Sequence, residues 1–171
     1  MSTVPHFAPA SHALRRNLVA LAVSSAFANG AYAAPTNPTV ISGSAVFSQA
    51  GNALNITNTP GTIINWQGFS IGSAEITRFI QQNNLSSVLN RVTGNEASAI
   101  LGQLLSNGRV FLINPNGIFV GGGAVIDTAG FAMSSLKLDN ADFLAGRFKF
   151  EDVPGAGKVI NQGTIKAGDG G

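Results

Sequence analysis

From Thr39 onward the chain is written in strand-length apolar runs, each cut by Gly, Asn or an Asn-Gly pair, and this punctuation constrains the fold more than any other feature. Runs this short do not build amphipathic helices, which need an apolar stripe sustained over several turns. They read as strands at Ala45 to Ser48, Leu54 to Thr57, Thr62 to Trp66, Ile76 to Gln81, Val88 to Val92, Val110 to Ile113, Ile118 to Val120, Val125 to Thr128 and Lys158 to Ile160. The expected fold is therefore all-β. Turns fall at Asn107-Gly108, Asn116-Gly117, Gly121-Gly122-Gly123, Ala129-Gly130 and Gln162-Gly163. Val110-Phe111-Leu112-Ile113 is apolar at every position, so both faces of that strand must be covered, which a one-sided sheet does not do. The segment from Gly157 to Gly168 has the layout of one coil of a stacked β-solenoid, with Val159, Ile160 and Ile165 expected to face inward. Glu96 to Leu105 is the one stretch with helical spacing, through Ile100, Leu101, Leu104 and Leu105.

The first part of the chain is a different text. Arg15-Arg16 precedes an apolar run from Leu18 to Phe27, and Ala31-Tyr32-Ala33 offers a small-x-small cleavage site before Ala34. This is the layout of a secretory signal peptide. Residues 1–33 are expected to be removed between Ala33 and Ala34, leaving 34–171 as the mature folded unit; Ala26-Phe27-Ala28 is a second cleavage motif. The apolar run falls short of the ~20 residues that span a bilayer, which argues against an anchor. A bare Arg pair is a weak twin-arginine signal.

Charge and missing side chains narrow the chemistry. Of ten Lys and Arg residues two lie in the leader, so eight remain against eight Asp and Glu. A neutral mature chain does not build the basic stripe that phosphate backbones need, and nucleic acid is not an expected partner. His6 and His12 both lie in the leader and the chain has no Cys, so the mature chain has neither imidazole nor thiol. Ser-His triads, Cys nucleophiles and the usual zinc sets are thereby excluded. Asp139-Asn140-Ala141-Asp142 and Glu151-Asp152 read as solvated loop charges, since calcium needs many converging oxygens and glycosidases need carboxylates at set separations. No catalytic residue, metal site or cofactor is expected. An exported domain without Cys must draw its stability from elsewhere, and it carries no disulfide loop to obstruct passage of an unfolded chain.

Four blocks of text stand out: Ile64-Asn-Trp-Gln-Gly-Phe-Ser-Ile-Gly72, Leu89-Asn-Arg-Val-Thr-Gly94, Ser98-Ala-Ile-Leu-Gly102 and Gly108-Arg-Val-Phe-Leu-Ile-Asn-Pro-Asn-Gly-Ile118. On these, Thr39 to Gly171 resembles the N-terminal two-partner secretion (TPS) domain of filamentous haemagglutinin-type exoproteins. The resemblance implies a right-handed single-stranded parallel β-helix with an N-terminal cap and extra-helical β-hairpins. It also implies export through the inner membrane of a Gram-negative bacterium and recognition by the periplasmic POTRA domains of a dedicated outer-membrane β-barrel transporter. The chain would then fold at the cell surface, secreted or attached. The positions implied in recognition or folding are Asn65, Trp66, Asn90, Arg91, Val92, Asn114, Pro115, Asn116, Gly117 and Ile118. A second, earlier Asn-Pro-Asn motif is frequent in the family; here Asn58-Thr-Pro-Gly61 occupies that region without matching it.

The residues themselves carry plainer readings. Asn114 to Gly117 is a tight turn, with Pro115 fixing φ and Gly117 tolerating positive φ. Trp66 reads as a core or rim aromatic with its N–H satisfied, and Arg91 as a solvated strand charge, with pairing to a carboxylate or binding to the transporter as the alternatives. The polypeptide is expected to continue beyond Gly171 into a passenger that meets a host or competitor-cell surface. Two other functions compete: a freestanding secreted adhesin, and a β-helix polysaccharide-degrading enzyme, for which the scattered charges supply no convergent set.

Overall fold

A computed structural model describes residues 34–168; the expected leader, and with it Ala33, lies outside the described residues. The elements in chain order are β1 (Thr39–Ser42), β2 (Ala45–Ala50), β3 (Ala53–Asn58), β4 (Thr62–Trp66), β5 (Ile76–Ile80), β6 (Ser87–Val92), β7 (Ser98–Ile100), β8 (Gln103–Ser106), β9 (Arg109–Ile113), β10 (Ile118–Val120), β11 (Val125–Thr128), β12 (Gly130–Ser134), β13 (Lys137–Leu138), α1 (Asn140–Leu144), β14 (Phe150–Glu151), β15 (Val159–Asn161) and β16 (Thr164–Ala167).

The chain winds as a three-sided parallel β-solenoid. One side stacks β3, β5, β8, β11 and β16; the second stacks β4, β6, β9 and β12; the third stacks β7, β10 and β15. In-register pairing lines residues into rows along the axis, such as Leu54-Thr77-Leu104-Ile126-Ile165 and Thr62-Val88-Val110-Phe131. Because side chains alternate in a strand, each row keeps to one face, and the inward rows merge into one core containing Ile56, Ile64, Trp66, Phe79, Leu104 and Ile126. Each coil covers the apolar edge of the coil before it, so stability accrues by stacking.

The first coil is capped by reversed strands. β1 runs antiparallel to β4 and β2 antiparallel to β3, so the two long parallel stacks end on antiparallel partners. This is the N-terminal cap that the resemblance implies. The extra-helical hairpin is β13–β14, also antiparallel. Together with α1 it covers the outer face of the second side: Leu138 and Phe143 pack on Ile63, Leu89, Phe111 and Ile113, with Phe150 alongside. The unbroken apolar run of β9 is thereby explained, since Val110 and Leu112 enter the inner core while Phe111 and Ile113 enter this outer one. Burying each such side chain is worth about 1.5–3 kcal/mol.

Three expectations are corrected. Glu96 to Leu105 is not helical; it is β7 and β8 meeting at a corner at Leu101-Gly102, where Ile100 and Leu104 point into the core from two sides and Leu101 stays exposed. The acidic residues lie at the surface as expected but are not loop charges: Asp139 caps α1, its Oδ1 accepting from Ala141 N at 2.8 Å, and Asp142, within α1, pairs with Arg147 at 2.7 Å. Glu151 likewise accepts from Lys149 at 3.2 Å. In the Gly157 coil, Val159 and Ile165 continue the core rows of Ile118 and Ile126, but Ile160 falls on the outward row of Ala99 and Phe119. Among the described residues no further coil lies on Val159 and Ile165, which are 40% and 37% exposed.

Candidate functional site

The ten implied positions separate into a group along β4 and β6 and a corner at Asn114–Ile118. Asn90 lies in mid β6 and its side chain enters the core, in a row between Ile64 and Leu112. A buried amide there is costly unless bonded. Its Oδ1 accepts from Trp66 Nε1 at 3.0 Å and its Nδ2 donates to the Phe111 carbonyl at 3.3 Å. One side chain thus ties β4, β6 and β9 of three successive coils. Trp66 is 1% exposed and meets Phe47 and Phe69 edge to face, with Val92 beside it in the next coil. Its N–H is satisfied and its ring is core.

Asn65 and Arg91 are register partners on the outward face. The Asn65 Oδ1 is buried without a partner. Arg91 is half-buried rather than solvated, and its Nη2 donates to the Leu138 carbonyl at 2.6 Å, joining the outer layer to the solenoid. Burial pushes its guanidinium below the ordinary value, and the nearby Asp139 carboxylate opposes that shift.

At the corner, Asn114 is fully buried and uses both ends of its amide. Nδ2 donates to the Glu96 carbonyl at 3.0 Å and to Ser98 Oγ at 2.9 Å; Oδ1 accepts from Asn116 N at 2.9 Å. Exposed Asn116 donates through Nδ2 to the Gly94 carbonyl at 2.8 Å. Gly117 N closes the turn on the Asn114 carbonyl at 3.0 Å, with φ at +108°. The following coil is joined by Gly157 N donating to the Pro115 carbonyl at 2.8 Å and Ile118 N donating to the Lys158 carbonyl at 3.0 Å. A Cβ on Gly117 would press on the Lys158 carbonyl at 2.8 Å, and one on Gly157 would collide with the Asn116 carbonyl. The motif is one layer of a stacked corner, bonded to the coil before through the Asn114 and Asn116 side chains and through Ser98 N donating to the Gly117 carbonyl at 3.0 Å, and to the coil after through backbone.

Sequence reasoning missed the partners Gly94, Glu96, Ser98 and Gly157. Three of the four contribute only backbone groups, which leave no side-chain signal; the one legible sign was a glycine recurring at successive corners. Among the described residues no group of three or more His, Cys, Asp or Glu converges on a metal site. The Nδ2 groups of Asn114 and Asn116 are engaged by the preceding coil, and the Asn114 Oδ1 is engaged within the turn.

Residues 31–171 match the family model described as TPS secretion domain. Two heme/hemopexin-binding proteins of Haemophilus influenzae are similar: one, from strain Rd, is 36% identical over 166 residues, covering 90% of this chain and 18% of that protein. The other is 34% identical over 100 residues, covering 58% of this chain and 11% of that protein. The chain therefore spans less than a fifth of the length of these relatives. The crystal structure of the HMW1 secretion domain from Haemophilus influenzae superposes with a TM-score of 0.75 at 42% identity, covering 77% of this chain and 36% of that one.

Proposed function

This chain belongs to the TPS secretion domain family, and on that premise we propose that it is the export address and folding seed of a longer exoprotein, not a catalyst. Residues 1–33 act as a cleavable leader to the periplasm, with Ala34 the first mature residue. The remaining domain is taken up by the POTRA domains and β-barrel of an outer-membrane transporter and stacks its coils outside. The observation that carries this reading is the Asn114–Ile118 corner, whose hydrogen bonds run to the coils on both sides. Such a corner acts when a coil is laid on its predecessor, which is what a seed must promote. Folding at ~0.05–0.15 kcal/mol per residue, summed over a long downstream solenoid, opposes backsliding through the pore.

The motif residues thus serve assembly of the scaffold: Asn90 and Trp66 inside it, Arg91 at its outer layer, Asn114 to Ile118 at its corner. Deleting residues 39–171 from the full exoprotein, in cells that carry the transporter, is expected to leave the passenger inside the outer membrane. Release at the wild-type level would overturn the proposal, and turnover of a polyuronate by the purified chain would favour an enzyme instead.

A further inference from the structure

At the capped end of the solenoid a cavity of about 300 Å³ opens between the β2–β3 turn and the corner leading into β5, lined among others by Ala34, Asn52, Leu54, Glu75 and Thr77. Glu75 is 7% exposed. Its Oε2 accepts from Gly72 N at 2.7 Å, while its Oε1 is buried with no hydrogen-bond partner. Two backbone bonds and one side-chain bond fix the segment that carries the carboxylate: Glu75 N donates to the Gly72 carbonyl at 2.9 Å, Ile76 N donates to the Asn52 carbonyl at 3.0 Å, and the Asn52 side-chain Nδ2 donates to the Ala74 carbonyl. None of the three ion pairs among the described residues involves Glu75. A buried carboxylate oxygen without a donor is expensive, and a cationic donor relieves it most.

The other notable lining residue is Ala34. Its approach is fixed two residues later, where Thr36 N donates to the Gly68 carbonyl at 2.9 Å and Gln67 N donates to the Thr36 carbonyl at 3.0 Å. We infer that Glu75 Oε1 is the receptor for a primary ammonium group, supplied by the α-amine of Ala34 when the leader is cut away. In the precursor that nitrogen is an uncharged amide with one N–H. After cleavage it carries three donors and a positive charge, matching the orphaned oxygen in sign and in hydrogen-bond sense. The cap is then complete only on the processed chain, which links maturation to the first coil of the stack. This rests on the proposed removal of residues 1–33.

The test uses the exported chain from its own cells: its first residue is determined, and its amines are acylated near neutral pH, folded and in denaturant, with the lysines as internal reference. Ala34 is expected at the N-terminus, its amine acylated at least ~10-fold more slowly in the folded chain, the scale of one charge-assisted hydrogen bond. Glu75→Gln is expected to restore the rate. A different first residue, equal rates in folded and unfolded chain, or protection that persists in a folded Glu75→Gln variant overturns the inference. Should that variant not fold, a crystal structure of the exported wild-type chain decides: the nitrogen lies within ~3.2 Å of Oε1, or it faces solvent and the inference falls. None of these outcomes bears on passenger release, which the deletion of residues 39–171 reads separately.

Discussion

Asn114 and Asn90 are the side chains on which the scaffold leans most, because each is fully buried and each bonds across coils. Asn114→Ala strands the Ser98 hydroxyl and the Asn116 amide, and is expected to cost about 1–3 kcal/mol. Urea unfolding checks this: the midpoint falls while the slope holds, and an unmoved midpoint would contradict the geometry. Trp66 and Asn90 share one bond at 3.0 Å, so Trp66→Phe and Asn90→Leu made together should destabilise less than the sum of the two alone. A double-mutant cycle is expected to give a coupling of about 0.5–3 kcal/mol, and strict additivity would sink the assignment. Arg91 acts at longer reach, through a carbonyl that belongs to β13 and that no local pattern announces.

The outer layer is the element whose contribution is least visible in the text of the chain. Phe143 on α1 packs on Phe111 edge to face at 5.4 Å and lies over Ile63 and Ile113. Phe143→Ala is expected to cost about 3–5 kcal/mol and to expose the outer face of β9 to an apolar dye, with the inner core intact. Dye binding unchanged from wild type would mean that the layer is not packed as described. The same elements mark where the sequence was legible. β4, β10 and β11 match their expected bounds because Gly and Asn turns bracket them, and the apolar run of β9 required two covered faces. The helical reading of Glu96 to Leu105 failed for a physical reason: Ile100 and Leu104 lie four apart whether they share a helix face or flank a solenoid corner. α1 has five residues and β13 and β14 have two each, too short for any periodicity to register. At the corner, the turn was legible from Pro115 and Gly117, but not its partners, which are mostly backbone carbonyls of other coils.

For the whole molecule, the central claim is that these motif residues serve export by serving the stack. Long-range contacts dominate the fold, because each strand pairs with strands of the neighbouring coils. Topologies of this kind fold slowly, since loop closure must be met before non-local contacts repay it, which fits the proposed passage of an unfolded chain. A domain read by its transporter through surface contacts would behave differently, because export and stability could then be separated by mutation. Asn116 is the residue to decide between them, being exposed to a partner yet bonded to the Gly94 carbonyl of the preceding coil. The measurement is the secretion yield of Asn116→Ala set against its urea midpoint. The account predicts that both fall together; a variant as stable as wild type that is not secreted would contradict it.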